Sequence, residues 1–338
     1  MDKLDARKSA ILRRVVQEHI ETAQPVGSAH VVRDPRIDVS PATVRADMAA
    51  LERDGYLMHP HTSAGRVPTE KGYRYFVDHI ADPETLDPAR QDQVAAFFAH
   101  AQGELERMLR DTSQLLSRLT DHAAVVVAPS HQRLTLRSTL LTQLDTGAAL
   151  LVVVFSNGAV EKHVLWMDGA QSEHLDAAST RLREHLEGQT LGELSAPPPT
   201  GDPRVDPIVD CAYRALAGSV GSSQPSSSDD VFVGGTARMA EQLGAVETVR
   251  EVLSILEQSF VVVSLLKSVL DQSQGVAIGS ETGLESLADC SLVVAPYRVS
   301  ADVVGTIGVL GPTRMNYPQA LAAVAVVGQQ LTERLVGG

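Results

Sequence analysis

The run Ser40-Pro41-Ala42-Thr43-Val44-Arg45-Ala46-Asp47-Met48, followed a dozen residues later by His61-Thr62-Ser63-Ala64-Gly65-Arg66-Val67-Pro68-Thr69, restricts this chain more than any other feature. Ser40 before Pro41 is a strong helix start. The serine hydroxyl satisfies an orphan backbone amide, and proline at the first helical position has no amide to leave over. Val44, Met48 and Leu51 fall on one stripe, so Ala42, Thr43, Arg45, Ala46 and Ala49 are left to project outward until Gly55 stops the helix. Tyr56-Leu57-Met58-His59 then reads as a strand, Ser63-Ala64-Gly65-Arg66 as a hairpin tip, and Thr69 as the cap of a helix through Tyr73, Phe76, Val77 and Ile80.

Upstream, Ile11, Leu12, Val15, Val16 and Ile20 recur at helical spacing, and Pro25 and Gly27 end that helix. A short helix over residues 28–32 follows, with Ser28 as its cap, then a loop or short strand over 34–39. Any single helix so capped is at home in an ordinary core. Three helices, a sharp turn and a basic hairpin within eighty residues predict a winged helix-turn-helix over residues 1–82, a device for reading duplex DNA. Small residues at the leading end permit close approach to a major groove about 12 Å wide. Arg45 reaches a guanine edge or a phosphate, and Thr43 a phosphate or a thymine methyl. The candidate DNA contacts are Ser28, Ser40, Ala42, Thr43, Arg45, Ala46, His61, Thr62, Ser63, Gly65 and Arg66.

A formal charge of −13 over 338 residues argues at first against such a partner. Residues 1–80, however, hold twelve Lys/Arg and eleven Asp/Glu, a net of +1, while the rest carries 17 against 31. The acidity belongs to the remainder, and counterion release depends on the face that meets phosphate. The length predicts two or three domains, and 43% hydrophobic content with only 4% aromatics predicts cores of Val, Leu, Ala and Ile. Cys211 and Cys290 match no metal or redox spacing, no signal segment precedes the first helix, and the apolar runs are too short to span a bilayer. A cytoplasmic protein is expected.

Pro83 and Pro88 mark a boundary. Beyond it, residues 89–121 read as one long amphipathic helix. Strands follow over 125–127, 136–144, 148–155 and 160–167, with turns at Asp145-Thr146-Gly147 and Asn157-Gly158, then a helix over 176–186. A Pro-rich stretch at 196–203 opens a separate region with a Ser-rich loop at 218–230 and helices over 205–216, 237–243 and 246–258. A helix over 265–272, strands over 276–278, 291–297 and 303–309, and a final helix over 318–335 resume the α/β pattern. The simplest organisation is one α/β domain interrupted by an insertion.

Other features have bland readings. His59 and His61 face one side of a strand, but no further ligands stand nearby, so they line the wing and no metal is expected. Val233-Gly234-Gly235-Thr236 lacks the spacing and lysine of a phosphate loop and reads as a tight turn. Gly311-Pro312-Thr313-Arg314-Met315-Asn316-Tyr317 reads as a structural turn with Arg314 paired to an acidic neighbour, or as an anion contact. No nucleophile, acid–base or cofactor signature appears, so the chain is expected to be neither an enzyme nor a cofactor carrier.

Pro25-Val26-Gly27-Ser28, the Ser40 helix, the His61–Thr69 wing, Gly72-Tyr73-Arg74, residues 231–236 and Gly311-Pro312-Thr313-Arg314-Met315, in this order, resemble the landmarks of the heat-inducible transcription repressors HrcA. The resemblance implies a winged helix-turn-helix, a long connecting helix (89–121), a GAF-like domain in two segments (122–195 and 262–338) and an inserted dimerisation domain (196–261). It also implies repression of chaperone operons by a homodimer on an inverted-repeat operator called CIRCE, with the chaperonin GroEL as a partner. This chain departs from the family pattern at Ala23-Gln24, where Gly-Glu is usual, at Ala46, where Asn is usual, and at Asn316, where an acid is usual. The alternative is a winged-helix regulator controlled by a small molecule in the GAF-like domain.

Overall fold

The computed structural model describes residues 4–60, 65–79, 85–100, 105–129, 134–145, 147–156, 160–167, 171–221, 231–243, 246–271, 275–299 and 304–336. The head begins with helix α1 (Ala6–Thr22), started by Asp5, whose carboxylate accepts the Lys8 amide at 2.8 Å. Helices α2 (Ser28–Val31) and α3 (Pro41–Arg53) follow, and α3 starts as its sequence dictates, with Ser40 Oγ accepting the Thr43 amide at 3.2 Å. Strands β1 (Leu57–Met58) and β2 (Val67–Pro68) pair antiparallel, Leu57 opposite Pro68. Helix α4 (Glu70–His79) is capped by Thr69, whose hydroxyl accepts the Gly72 amide at 3.1 Å and donates to the Gly55 carbonyl at 2.7 Å. Ile11, Leu12, Val15, Val16, Val44, Met48 and Leu51 are buried, which seats α1 against α3.

Two helices, α5 (Pro88–His100) and α6 (Leu105–Thr120), occupy the stretch expected to be one long helix, on either side of residues 101–104, which lie outside the described residues. The body is a five-stranded antiparallel sheet in the order β7-β3-β10-β9-β8, from β3 (Ala123–Val127), β7 (Val231–Gly234), β8 (Val276–Ile278), β9 (Cys290–Arg298) and β10 (Val304–Pro312). Alternation along the strands splits the core in two. Ala124, Val126, Phe232, Ile307 and Val309 face α6 and the terminal helix α12 (Tyr317–Val336). Ala123, Val125, Val127, Val231 and Leu310 face α9 (Thr236–Gln242), α10 (Val246–Leu256) and α11 (Ser259–Leu270).

A second, three-stranded antiparallel sheet forms between β3 and β7, from β4 (Leu136–Asp145), β5 (Ala148–Phe155) and β6 (Val160–Trp166) in sequence order. Its inner side packs on α7 (Ser172–Leu186) through Leu175, Ala178, Leu182 and Leu186, and α8 (Asp206–Gly221) packs on α7. Residues 136–166 thus form a sheet of their own between two strands of the main sheet, and Val231–Gly234, inside the expected 196–261 insertion, pair with β3 of the main sheet. The Pro-rich run that suggests a boundary is an exposed connection between two packed helices, and the chain from Val231 onward rejoins the main sheet and its core. The expected turn residues Thr146 and Asn157-Gly158, and most of the Ser-rich loop (222–230), lie outside the described residues. Among the described residues no single helix is long and apolar enough to cross a membrane.

Candidate nucleic-acid interface

The orientation of α3 is fixed from its inner side. Val44, Met48 and Leu51 fill the head's core, and Asp47, also buried, accepts the Arg7 guanidinium of α1 at 2.7 Å (Nε to Oδ2) and 3.3 Å (Nη2 to Oδ1). That carboxylate raises the Arg7 pKa further, chiefly through the hydrogen bond and then through charge. With these four side chains committed inward, helical geometry turns Ala42, Arg45 and Ala46 out to solvent, and all three are exposed. Thr43 is half-buried beside them, its Oγ1 3.0 Å from Ser40 Oγ. Ser28 is half-buried as the first residue of α2, which Gly27 caps in place of the expected serine.

The base of the wing is bolted to the turn before α2. Val26 and Arg66 exchange two backbone hydrogen bonds of 2.9 Å. Gly65 stands so close that a Cβ there would lie 2.4 Å from the Val26 carbonyl carbon and oxygen, so a glycine is required by contact alone. Arg66 differs from the expectation of a free cation at the hairpin tip. Its Nε donates to Glu52 Oε2 at 2.9 Å and its side chain is only 13% exposed, because Glu52 lies on the flank of α3 that the returning strand crosses. Residues 45 and 52 are seven apart, two helical turns, so Arg45 shares that flank with the wing's anchor. His61, Thr62 and Ser63 lie outside the described residues.

Sequence reading alone overlooks two more exposed cations. Arg33 follows α2 and Arg53 ends α3, in line with Ala42, Ala46 and Ala49; like Arg45, neither has an ion-pair partner among the described residues. The signal for Arg53 is its spacing of eleven residues from Ala42. Arg36, by contrast, is consumed by Asp34, which accepts its backbone amide and both Nε and Nη2, and this pairing holds the Asp34 carboxyl down at about 2.

Helix α4 ties the head to the body. Arg74 grips Glu281 with two nitrogens and donates to the Val276 carbonyl at 2.7 Å, while Glu70 accepts the Ser280 amide at 3.0 Å. The Tyr73 and Tyr317 rings meet at 5.9 Å. The other singled-out segments are structural. Gly235 opens α9 with a positive φ of 74°, hard against the Ser117 side chain, and Val231 to Gly234 form a strand rather than part of a turn. Among the described residues Arg314 pairs with no acid; it donates to the Gln242 carbonyl at 2.9 Å. Among the described residues no cluster of His, Cys, Asp and Glu could hold a metal.

A capped helix with a small, exposed leading edge, anchored beside a wing and carried on an α/β body, defines a DNA-binding transcription regulator. A family model described as the HrcA protein C-terminal domain matches residues 106–321. The chain is 33% identical over 338 residues to the heat-inducible transcription repressor HrcA of Symbiobacterium thermophilum, covering 98% of each protein. It is 36% identical over 340 residues to that of Thermobifida fusca, covering 99% of this chain and 98% of that one. A solved structure described as a hypothetical protein shares the fold, with a TM-score of 0.62 at 20% identity over 99% of this chain and 98% of the other. The chain belongs to the HrcA family of heat-inducible transcription repressors.

Proposed function

We propose that this repressor acts by occupancy: a homodimer sits on an inverted-repeat, CIRCE-type operator of chaperone operons, and heat removes it. The observation that carries the proposal is the outward face of α3, with Ala42, Arg45 and Ala46 exposed on the side where Arg66 anchors the wing. One such helix covers only a few base pairs, so useful discrimination needs two copies related by a two-fold axis, which an inverted repeat mirrors. Ser28, Ser40 and Thr43 border the same face and take phosphate or sugar contacts; Gly65 and Arg66 set the wing.

The dimer surface we propose is the outer side of the three-stranded sheet. Leu140, Leu144, Val160, Val164 and Trp166 are all exposed there, Trp166 to 80%, while Leu150, Val152 and Val154 are half-exposed between them. An exposed face that is apolar apart from Lys162, Ser138 and Thr142, on an otherwise acidic protein, marks an interaction site, and a second copy completes the symmetry the operator requires. The five-stranded body is read as GAF-like and the 134–221 unit as the dimerising insertion. In this scheme warming depletes the folded dimer while damaged proteins occupy the chaperonin GroEL that restores it.

The test is an anisotropy titration against an inverted-repeat chaperone operator and a scrambled duplex at several salt concentrations, before and after mild heating with and without chaperonin. Preference for the operator, lost on heating and restored by chaperonin, is the expected result. Equal binding of the scrambled duplex overturns sequence-specific repression, and binding that survives heating unchanged overturns the heat mechanism.

A further inference from the structure

Helix α4 belongs to the head and to the body at once. On the head side Tyr75 is buried, its ring edge-on to Tyr56 and its hydroxyl accepting the Leu4 amide at 3.0 Å. Glu70, Arg74 and Asp78, four residues apart, share another side of the helix. There Glu70 accepts both the amide of Ser280, at 3.0 Å, and its hydroxyl. Arg74 Nε donates to Glu281 Oε1 at 2.9 Å, Nη2 to Glu281 Oε2 and to the Val276 carbonyl, and Nη1 to Asp78 at 3.1 Å. Glu281 is itself held, its Oε2 accepting the Ile278 amide at 2.9 Å. The Arg74 side chain is only 14% exposed, so this two-pronged pair is shielded from the solvent that weakens most surface ion pairs. Both body partners lie in the turn Gly279–Thr282 that leaves edge strand β8. The fit is close: a Cβ on Gly279 would stand 2.1 Å from Glu70 Oε1.

Arg74 and Glu281 are 207 residues apart in sequence, so their meeting is not a by-product of chain connection. A head swinging on a tether meets half-sites at many separations and on many faces of a duplex, whereas a head fixed to its body meets them at one. Two extra base pairs move a half-site by about 7 Å and turn it by about 70°. A dimer whose heads are held by charge and close fit cannot follow that shift without breaking the contact. We infer that the docking of α4 on the turn Gly279–Thr282 fixes the half-site spacing this repressor accepts, with Glu70, Arg74, Ser280 and Glu281 as positioning residues that act through the head. The inference rests on the reading of a homodimer on an inverted repeat and adds what sets the spacing of that repeat.

The test titrates the full chain against inverted-repeat duplexes whose spacer is lengthened or shortened by up to about three base pairs, with a single half-site and a scrambled duplex as references. Two body-side variants leave the head unaltered. The Ser280→Ala, Glu281→Gln double variant deletes a hydroxyl and a charge from the contact, and Gly279→Ala wedges a methyl group against Glu70. Half-site binding confirms that a variant is folded, and because the two loosen the contact by different means, either one alone decides the outcome. The parent is expected to show a sharp optimum, with affinity about tenfold or more lower two base pairs away. The variants are expected to match the parent on the half-site and to bind about tenfold more weakly at its optimum, since loose heads must be ordered on binding. Across the spacer series their affinity is expected to vary less than about threefold. A sharp optimum retained by a folded variant overturns the inference and leaves the operator reading in place. Tighter binding by the variants at the parent's spacing also overturns it, because the contact then holds the heads away from the duplex. So does a parent that is indifferent to spacing yet prefers the inverted repeat to the scrambled duplex. A parent that binds the scrambled duplex equally well overturns the homodimer reading beneath it.

Discussion

Arg7 and Asp47, forty residues apart, meet in a two-pronged pairing across the α1–α3 contact, with the carboxylate buried and the guanidinium half in solvent. This pair decides which way α3 faces, since Asp47 sits between the core stripe and the reading face. Arg7→Ala leaves a buried carboxylate without its strongest donor, which destabilises the head. We expect a lower melting temperature together with weaker operator binding, and Asp47→Asn, which keeps an acceptor for Arg7, to be milder than Arg7→Ala. Equal melting of Arg7→Ala and the parent would remove the pair from the account of how α3 is oriented.

The Arg66–Glu52 pair makes a second prediction that separates bracing from phosphate contact. If Arg66 acts by holding the wing to α3, Glu52→Ala weakens operator binding as Arg66→Ala does, and the double variant is little worse than either single one. A direct phosphate contact gives the opposite pattern: Arg66→Ala flattens the salt dependence, while Glu52→Ala strengthens binding by removing a competing anion. We expect the first pattern. Arg45→Ala, on the same flank but unpaired, should cost specific binding about 1–3 kcal/mol with the fold intact; the salt slopes of the three variants, measured side by side, distinguish the roles.

On the three-stranded sheet, Val164→Glu places a charge between Thr142, Leu150 and Trp166 on the outer face, where the monomer tolerates it. If this face joins two copies, the variant is expected to sediment as a monomer and to bind the full operator no better than a single half-site. Trp166 is the lone tryptophan of the chain and stands exposed at the strand end, so its emission should shift to shorter wavelength on dilution-reversible dimerisation. A Val164→Glu dimer with unchanged emission would place the interface elsewhere.

The sequence makes the helix of residues 41–53 legible because a serine–proline start and a stripe at positions 44, 48 and 51 are local signals, and local signals survive folding. The partners of those residues are not legible. Asp47 looks like one more polar residue until Arg7 arrives from another helix, and Arg66 looks like a free hairpin cation until the turn delivers it to Glu52. The same distance between cause and effect hides the insertion: the prolines at 197–199 mark a surface connection, whereas pairing of Val231–Gly234 with β3 determines where the excursion ends. Arg314 illustrates the reverse error, in which a charge invites an acidic partner and finds a carbonyl at the end of α9 instead.

Ala23 closes α1 in the left-handed conformation, with φ 54° and ψ 19°, and its amide bonds the His19 carbonyl. A side chain there crowds its own backbone, which costs an L-residue about 1–2 kcal/mol, and glycine avoids the crowding while losing more freedom on folding. The expected net for Ala23→Gly is a stabilisation of about 0.5–1 kcal/mol, visible as a raised melting temperature with unchanged operator affinity. A lowered melting temperature would show that the turn does not hold Ala23 in that conformation.

His122 supplies a pH dependence whose sign follows from burial. Its ring is enclosed beside Gly311, Nδ1 lies 2.9 Å from Gln242 Oε1, and burial is the largest influence on its pKa, which falls below the ordinary 6.5. The folded chain therefore holds the imidazole neutral, while the unfolded chain takes up a proton as pH drops past 6.5. Between that value and the lower folded one the unfolded state binds more protons, so stability rises with pH and is lost on acidification, with a slope of up to about 1.4 kcal/mol per pH unit from this one group. Denaturant unfolding between about pH 7.5 and 5.5 should show that slope, and His122→Gln should flatten it even if it lowers stability at the upper end. A variant with the parent's slope would assign the acid sensitivity to the other histidines.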